Sequence, residues 1–219
     1  MTEENNNTNL EDITDDLLKR LLMLRDGGVD FIPTVKSATE ERPKLAENII
    51  EATCTACELS DYRKNVVTGR FLEGEGKKAR LMVVLDTPSK AEDESGRLFH
   101  ETSPESELVD NIIKAMGSGE KGLSKTEVFI CYSVRCYSDS FPTPEIIDVC
   151  LGHIKNDIKR VKPEAILAFG AVAATAVTNA CAELKFKNYF KVPGLAETVK
   201  DPTLKIETWD KVQKIMKII

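Results

Sequence analysis

The chain has 219 residues, 42% of them hydrophobic and 30% charged, with a formal charge of -6. That length and balance supply a sizeable core and exclude a stapled miniprotein, a fibrous repeat and wholesale disorder. No apolar run is long enough to cross a bilayer, and Met1 to Asn9 is acidic and Asn-rich rather than basic and then apolar, so a cytoplasmic protein with no membrane partner is expected.

Residues 1–50 hold eleven acidic and six basic side chains, which leaves 25 acidic and 24 basic residues in a nearly neutral remainder. A local phosphate-binding face is compatible with that balance. Leu10, Ile13, Leu17, Leu21 and Leu24 recur at helical spacing, so residues 10–25 read as an amphipathic helix stopped by Gly27-Gly28. The stretch to Arg42, with Pro33 and then Pro43, reads as a tether. Residues 1–43 are therefore expected to form an acidic helix and tether, which either packs on the domain or binds a protein partner. Residues 44–219 are expected to form one α/β domain, opening with a helix over 44–53.

From Ala79 onward, short apolar runs alternate with amphipathic segments, the pattern of βαβ units and a parallel sheet. Strands are predicted over Leu81 to Leu85, Val128 to Val134, Ala165 to Phe169 and Tyr189 to Val192. Helices are predicted over Leu108 to Met116, Pro144 to Arg160, Ala171 to Ala182 and Glu207 to Ile219. Ligands of such sheets gather at the carboxyl ends of the strands, which selects the Asp86 to Ser89 loop, the Tyr132 to Cys136 segment and Gly170.

Six cysteines are present. In a cytoplasmic chain, Cys54-Thr55-Ala56-Cys57 reads as metal-binding or redox-active. Cys136 and Cys150 flank a Ser/Pro-rich loop able to bring two more thiolates to the same centre, and four soft thiolates suit tetrahedral zinc or an iron-sulfur cluster. Cys131, inside a strand, and Cys181, at a helix end, read as buried small hydrophobes.

Taken in order, these features resemble the type 4, iron-sulfur uracil-DNA glycosylases over about residues 50–215. The resemblance rests on Cys54-Thr55-Ala56-Cys57-Glu58-Leu59 with Arg63, and on Leu85-Asp86-Thr87-Pro88-Ser89 where the family has Gly-Glu-Ala-Pro-Gly. It continues through Glu92-Asp93, Gly96-Arg97-Leu98-Phe99, Cys136, Pro142-Thr143-Pro144-Glu145 before Cys150, Lys162-Pro163 before Ile166 to Gly170, and Asp201-Pro202-Thr203-Leu204-Lys205 with Trp209. It implies a three-layer α/β/α sandwich around a central, mainly parallel four-stranded sheet, and a 4Fe-4S cluster on Cys54, Cys57, Cys136 and Cys150. It implies DNA as partner and base-excision repair by hydrolysis of the N-glycosidic bond of uracil or another damaged base; a monomer is expected.

That chemistry turns the nucleotide out into a pocket and needs a carboxylate, a stacking ring, a group that reads the base edge and a donor for the leaving base. By resemblance, Glu92 and Asp86 are the candidate catalytic carboxylates, and Pro88, Asp93, Phe99 and Tyr132 the candidate substrate-binding residues. Tyr132 stands where the family has its base-reading Asn, and Gly194-Leu195 where it has a catalytic His-Pro. The two histidines are His100, directly after Phe99, and His153, three residues after Cys150 and expected at a surface or cluster-adjacent position. The alternative is a catalytically silent relative that keeps fold and cluster to bind nucleic acid or a partner.

Overall fold

The structure, a computed structural model, describes residues 53–99, 102–117 and 122–219, all within the compact unit Leu45–Ile219. The expected N-terminal helix and tether, nearly all of the 44–53 helix, and His100 lie outside the described residues.

A short 3-10 turn over Glu58–Asp61 precedes β1 (Arg70–Phe71), β2 (Leu81–Leu85), α1 (Lys90–Ser95) and α2 (Pro104–Met116). Then come β3 (Val128–Tyr132), α3 (Pro144–Val161), β4 (Ala165–Phe169), α4 (Ala171–Leu184), β5 (Tyr189–Val192), α5 (Leu195–Lys200) and α6 (Leu204–Ile215). The sheet has five strands in the order β1-β3-β2-β4-β5, not the expected four. The four predicted strands form its parallel body, and the addition is β1, which pairs antiparallel with the edge of β3 through Arg70 opposite Ile130 and Phe71 opposite Phe129. Gly69 lets this edge close: a β-carbon there would stand 2.5 Å from the Phe129 ring.

Every residue of β2, β3 and β4 is buried, because helices cover both faces of the parallel body and leave no solvent face to alternate toward. Side-chain parity sorts the layers. Leu81, Val83 and Leu85 join Val109, Ile113 and Met116 of α2, Leu195 of α5, and Val212 and Ile215 of α6 in one core. Met82, Val84, Ile166 and Ala168 join Leu151, Ile154 and Ile158 of α3, and Ala173, Val177 and Ala180 of α4, in the other. This is the expected three-layer sandwich. Cys131 and Cys181 are fully buried in the second core, as the sequence indicated.

Helix starts follow local chemistry. Thr143 accepts from the Ile146 amide ahead of Pro144, and Ser103 and Ser106 cap α2 reciprocally. The strand order reverses at β2, with β3 on one side and β4 on the other, and a cleft opens at that switch point beyond the strand ends. Among the described residues, no helix is long and apolar enough to cross a membrane.

Candidate active site and cysteine centre

The cleft encloses about 580 Å³. Four strand ends build it: Leu85 to Ser89 after β2, Tyr132 at the end of β3, Phe169 at the end of β4, and Gly194 to Glu197 after β5, with Glu92, Phe99 and Glu105 on the remaining wall. The topology thus brings together the predicted Asp86, Pro88, Glu92, Phe99 and Tyr132. Gly194 and Leu195, at the positions of the family's His-Pro, also line the cleft.

Glu92 belongs to α1, a six-residue helix fixed by its ends. Ser89 Oγ accepts from the Glu92 amide, and the Glu92 carboxylate accepts from the Ser89 amide at 2.9 Å, a reciprocal capping box. The same carboxylate accepts from Ser89 Oγ at 2.8 Å, from the Phe99 amide at 2.7 Å, and from Tyr132 Oη at 2.7 and 2.8 Å to its two oxygens. Four donors take up the roughly four acceptor positions a carboxylate offers. What Glu92 presents to the cleft is its charge, held in a fixed place, rather than a spare lone pair. Phe99 adopts a left-handed backbone, φ 50°, a conformation that costs a non-glycine residue about 1–3 kcal/mol and is tolerated where surroundings enforce it. Burial and the neighbouring Glu92 charge push the Tyr132 phenol well above its ordinary range, so it remains a donor.

Asp86 does two things. Its Oδ1 accepts from the Ala173 amide at 2.8 Å, which supplies the start of α4 with the cap that Gly170, lacking a side chain, cannot give. Gly170 has φ +94°, and a β-carbon there would stand 2.0 Å from Asp86 Oδ2, so only glycine admits the carboxylate. Burial raises the Asp86 pKa, the amides of Ala173 and Val172 oppose that, and the negative charge of Glu197 adds to it.

Asp93 is not part of the cleft lining. It is buried and accepts from the amides of Lys64 and Asn65 at 3.0 to 3.2 Å, while Asn65 Nδ2 donates to the Asp93 carbonyl at 2.7 Å. Its geometry anchors the segment that follows the CxxC. Contacts that the sequence did not signal come from Glu105, Tyr137, Ser138, Phe169 and Glu197, which reach the cleft from separate loops and helix starts.

Three of the four candidate cysteines meet in one small core. Cys136 and Cys150 share a small core with Leu59, Val134, Ile146, Ile147, Val172 and Ala176, against which Cys57 packs. The Cys57 and Cys150 thiols act on each other. That interaction, which outweighs the effect of burial, pulls Cys57 down to about 6 and pushes Cys150 strongly up. Burial raises Cys136 to about 11 against the pull of Arg63, and the charges of Cys57 and Cys54 act on it. Arg63 donates to Cys136 Sγ at 3.6 Å and to the Cys54 carbonyl, so one guanidinium bridges the two arms of the set. Among the described residues, no three His, Cys, Asp or Glu side chains form a ready-made ion cage. Cys57, Cys136 and Cys150 meet in that small core, and Cys54 acts on Cys136 from the same segment as Cys57; soft thiols beside a cation are a donor type suited to thiolate-bound metal.

His153 lies deeper than a surface site. It is 1% exposed, beside the buried Arg135 and Asp157, whose ion pair is shared with Arg160 at 2.7 Å. Burial, reinforced by Arg135, lowers the His153 pKa to about 4.

The sequence profile described as the Uracil DNA glycosylase superfamily matches residues 73–214. A type-4 uracil-DNA glycosylase of Pyrobaculum aerophilum is 33% identical over 126 residues, covering 57% of this chain and 59% of that protein. The type-4 enzyme of Thermotoga maritima is 32% identical over 137 residues, 60% of this chain and 65% of that protein. The type-4 enzyme of Archaeoglobus fulgidus is 24% identical over 168 residues, 76% of this chain and 75% of that protein. The chain thus spans about three fifths of the length of the first two relatives.

Proposed function

The chain belongs to the uracil DNA glycosylase superfamily, and on that footing we propose that it is a DNA repair enzyme hydrolysing the bond between deoxyribose and a damaged base. The observation that carries this reading is a cleft at the carboxyl ends of the strands, walled by Asp86, Glu92, Phe99 and Tyr132.

In this reading the nucleotide is turned out of the DNA and its base enters the cleft, where Phe99 offers a stacking face and Tyr132 the floor. As the glycosidic bond lengthens, the sugar gains positive character. The pinned Glu92 carboxylate stabilises that charge without reorganising, because its four donors already hold it in place. Asp86, whose pKa burial raises, takes the proton of the attacking water.

Cys54, Cys57, Cys136 and Cys150 are proposed to hold a 4Fe-4S cluster. Its contribution is structural, tying the CxxC segment and the 136–150 loop to the wall of the cleft. Arg63 favours the thiolate forms that ligation requires.

The test uses cluster-loaded full-length protein on single- and double-stranded oligonucleotides carrying one damaged base, with abasic sites read by alkaline cleavage. Excision is expected, with a loss of about 10²-fold or more in Asp86→Asn, which keeps an acceptor for the α4 amides but removes the base. The absence of cutting on every base tested, with DNA binding intact, would refute the enzymatic reading in favour of a silent binding module.

A further inference from the structure

Excision of a neutral base such as uracil leaves an anion behind, which needs a cation or a strong donor beside it. Among the described residues, every charged group lining the cleft is acidic: Asp86, Glu92, Glu105 and Glu197. No described Lys, Arg or His lines it. The phenolic proton of Tyr132 is already committed to Glu92, which leaves only oxygen lone pairs for a bound base. Gly194 and Leu195 add a backbone turn and an apolar wall. Such a pocket opposes a developing anion and attracts a cation.

A base alkylated on a ring nitrogen reverses the problem, because it carries a positive charge before cleavage and leaves as a neutral molecule. We propose that this cleft takes a positively charged, N-alkylated purine in DNA, with Glu105 and Glu197 as the carboxylates that select for its charge and Phe99 as the ring it stacks on. The proposal rests on the glycosylase reading above.

The reaction balances without a further reactant. The C1′–N bond breaks with its electron pair going to the base nitrogen, which cancels the ring charge. Water adds its oxygen to C1′ and gives one proton to a cleft carboxylate, which passes it to solvent. The products are the neutral alkylated base, an abasic deoxyribose and one proton. A cation over an aromatic face gains further attraction that a neutral pyrimidine does not. A cleft of about 580 Å³ leaves room for a two-ring base.

The test sets oligonucleotides bearing 7-methylguanine or 3-methyladenine against the same sequences bearing uracil or hypoxanthine, with cluster-loaded full-length protein. Excision of the methylated purines at kcat/KM about 100-fold or more above uracil is the expected result, the span that one missing donor typically sets. Glu105→Gln and Glu197→Gln are each expected to lower kcat/KM for the cationic bases about three- to tenfold more than for the neutral bases, since the effect of the Glu197 charge on Asp86 is common to both kinds of substrate. Equal or faster uracil excision, or equal losses on cationic and neutral bases in both variants, overturns this inference while the glycosylase reading stands. Failure to release any base overturns both.

Discussion

Replacing Tyr132 with Phe removes one hydroxyl and leaves the ring, so its effect isolates the bond from β3 to the Glu92 carboxylate. That bond joins a buried phenol to a buried carboxylate at 2.7 and 2.8 Å. Hydrogen bonds to charged groups contribute about 1.5–3 kcal/mol, and no packing is lost alongside. At about 2–4 °C per kcal/mol for a domain of this size, the melting temperature of Tyr132→Phe should fall by about 3–12 °C. Glu92→Gln should cost at least as much, because its amide NH₂ has to face one of the donors from Ser89 or Phe99. In the double variant the phenol no longer has a carboxylate to lose, so the two losses should fall short of additive by about 1–3 kcal/mol. Thermal or urea unfolding of the four proteins, each with its metal content matched, measures the coupling. Additivity to within about 0.5 kcal/mol would show that Tyr132 and Glu92 are not partners, and the account of how the carboxylate is held would fall with it.

Gly170→Ala forces a β-carbon to within 2.0 Å of Asp86 Oδ2 at a φ of +94°. The strained backbone costs about 1–3 kcal/mol and the displaced cap about 0.5–2 kcal/mol; a melting curve should show the loss, and Asp86→Ala in the same chain should recover the clash component. Cys150→Ser should abolish the visible absorption and bound iron of anaerobically purified protein, read by spectroscopy and metal analysis, whereas Cys181→Ser, at a buried site in the second core, should leave both in place. His153, lowered in the folded state to about 4 chiefly by burial, binds its proton more readily when unfolded. Its contribution is therefore complete above about pH 6.5 and is lost as pH falls from about 6.5 to about 4, a change of about 3 kcal/mol. Unfolding at stepped pH should show a flatter acid limb in His153→Gln than in the parent chain.

The parallel body was legible because its signal is a continuous apolar run: β2, β3 and β4 are buried on both faces, and nothing else in the chain reads as Leu81 to Leu85 does. β1 was not legible, since two residues carry no period and its pairing depends on Gly69 lying against Phe129. α1 has no apolar stripe either, yet Ser89-Lys90-Ala91-Glu92 is a capping-box pattern and Gly96 a left-handed stop, so its signal lay in its ends. The end of α3, where Lys162 turns left-handed, was placed to within one residue. Glu92 and Asp93 could not be told apart by sequence: adjacent on a helix, they point different ways, one to the cleft and one to the Lys64 and Asn65 amides.

The altered loop is where sequence and structure together say most. Set against the family pattern, Ser89 replaces the last glycine of the post-strand loop and Tyr132 the amide of β3, and either change alone reads as the loss of a site. In the folded chain both new side chains donate to the same carboxylate, Ser89 from the helix start and Tyr132 from the strand end, at 2.7 to 2.8 Å. Two independent losses would not converge on one group with satisfied geometry, because an orphaned buried carboxylate is costly and drift has no reason to supply its donors. The two substitutions therefore meet at one group, each adding a donor that holds the Glu92 carboxylate in place.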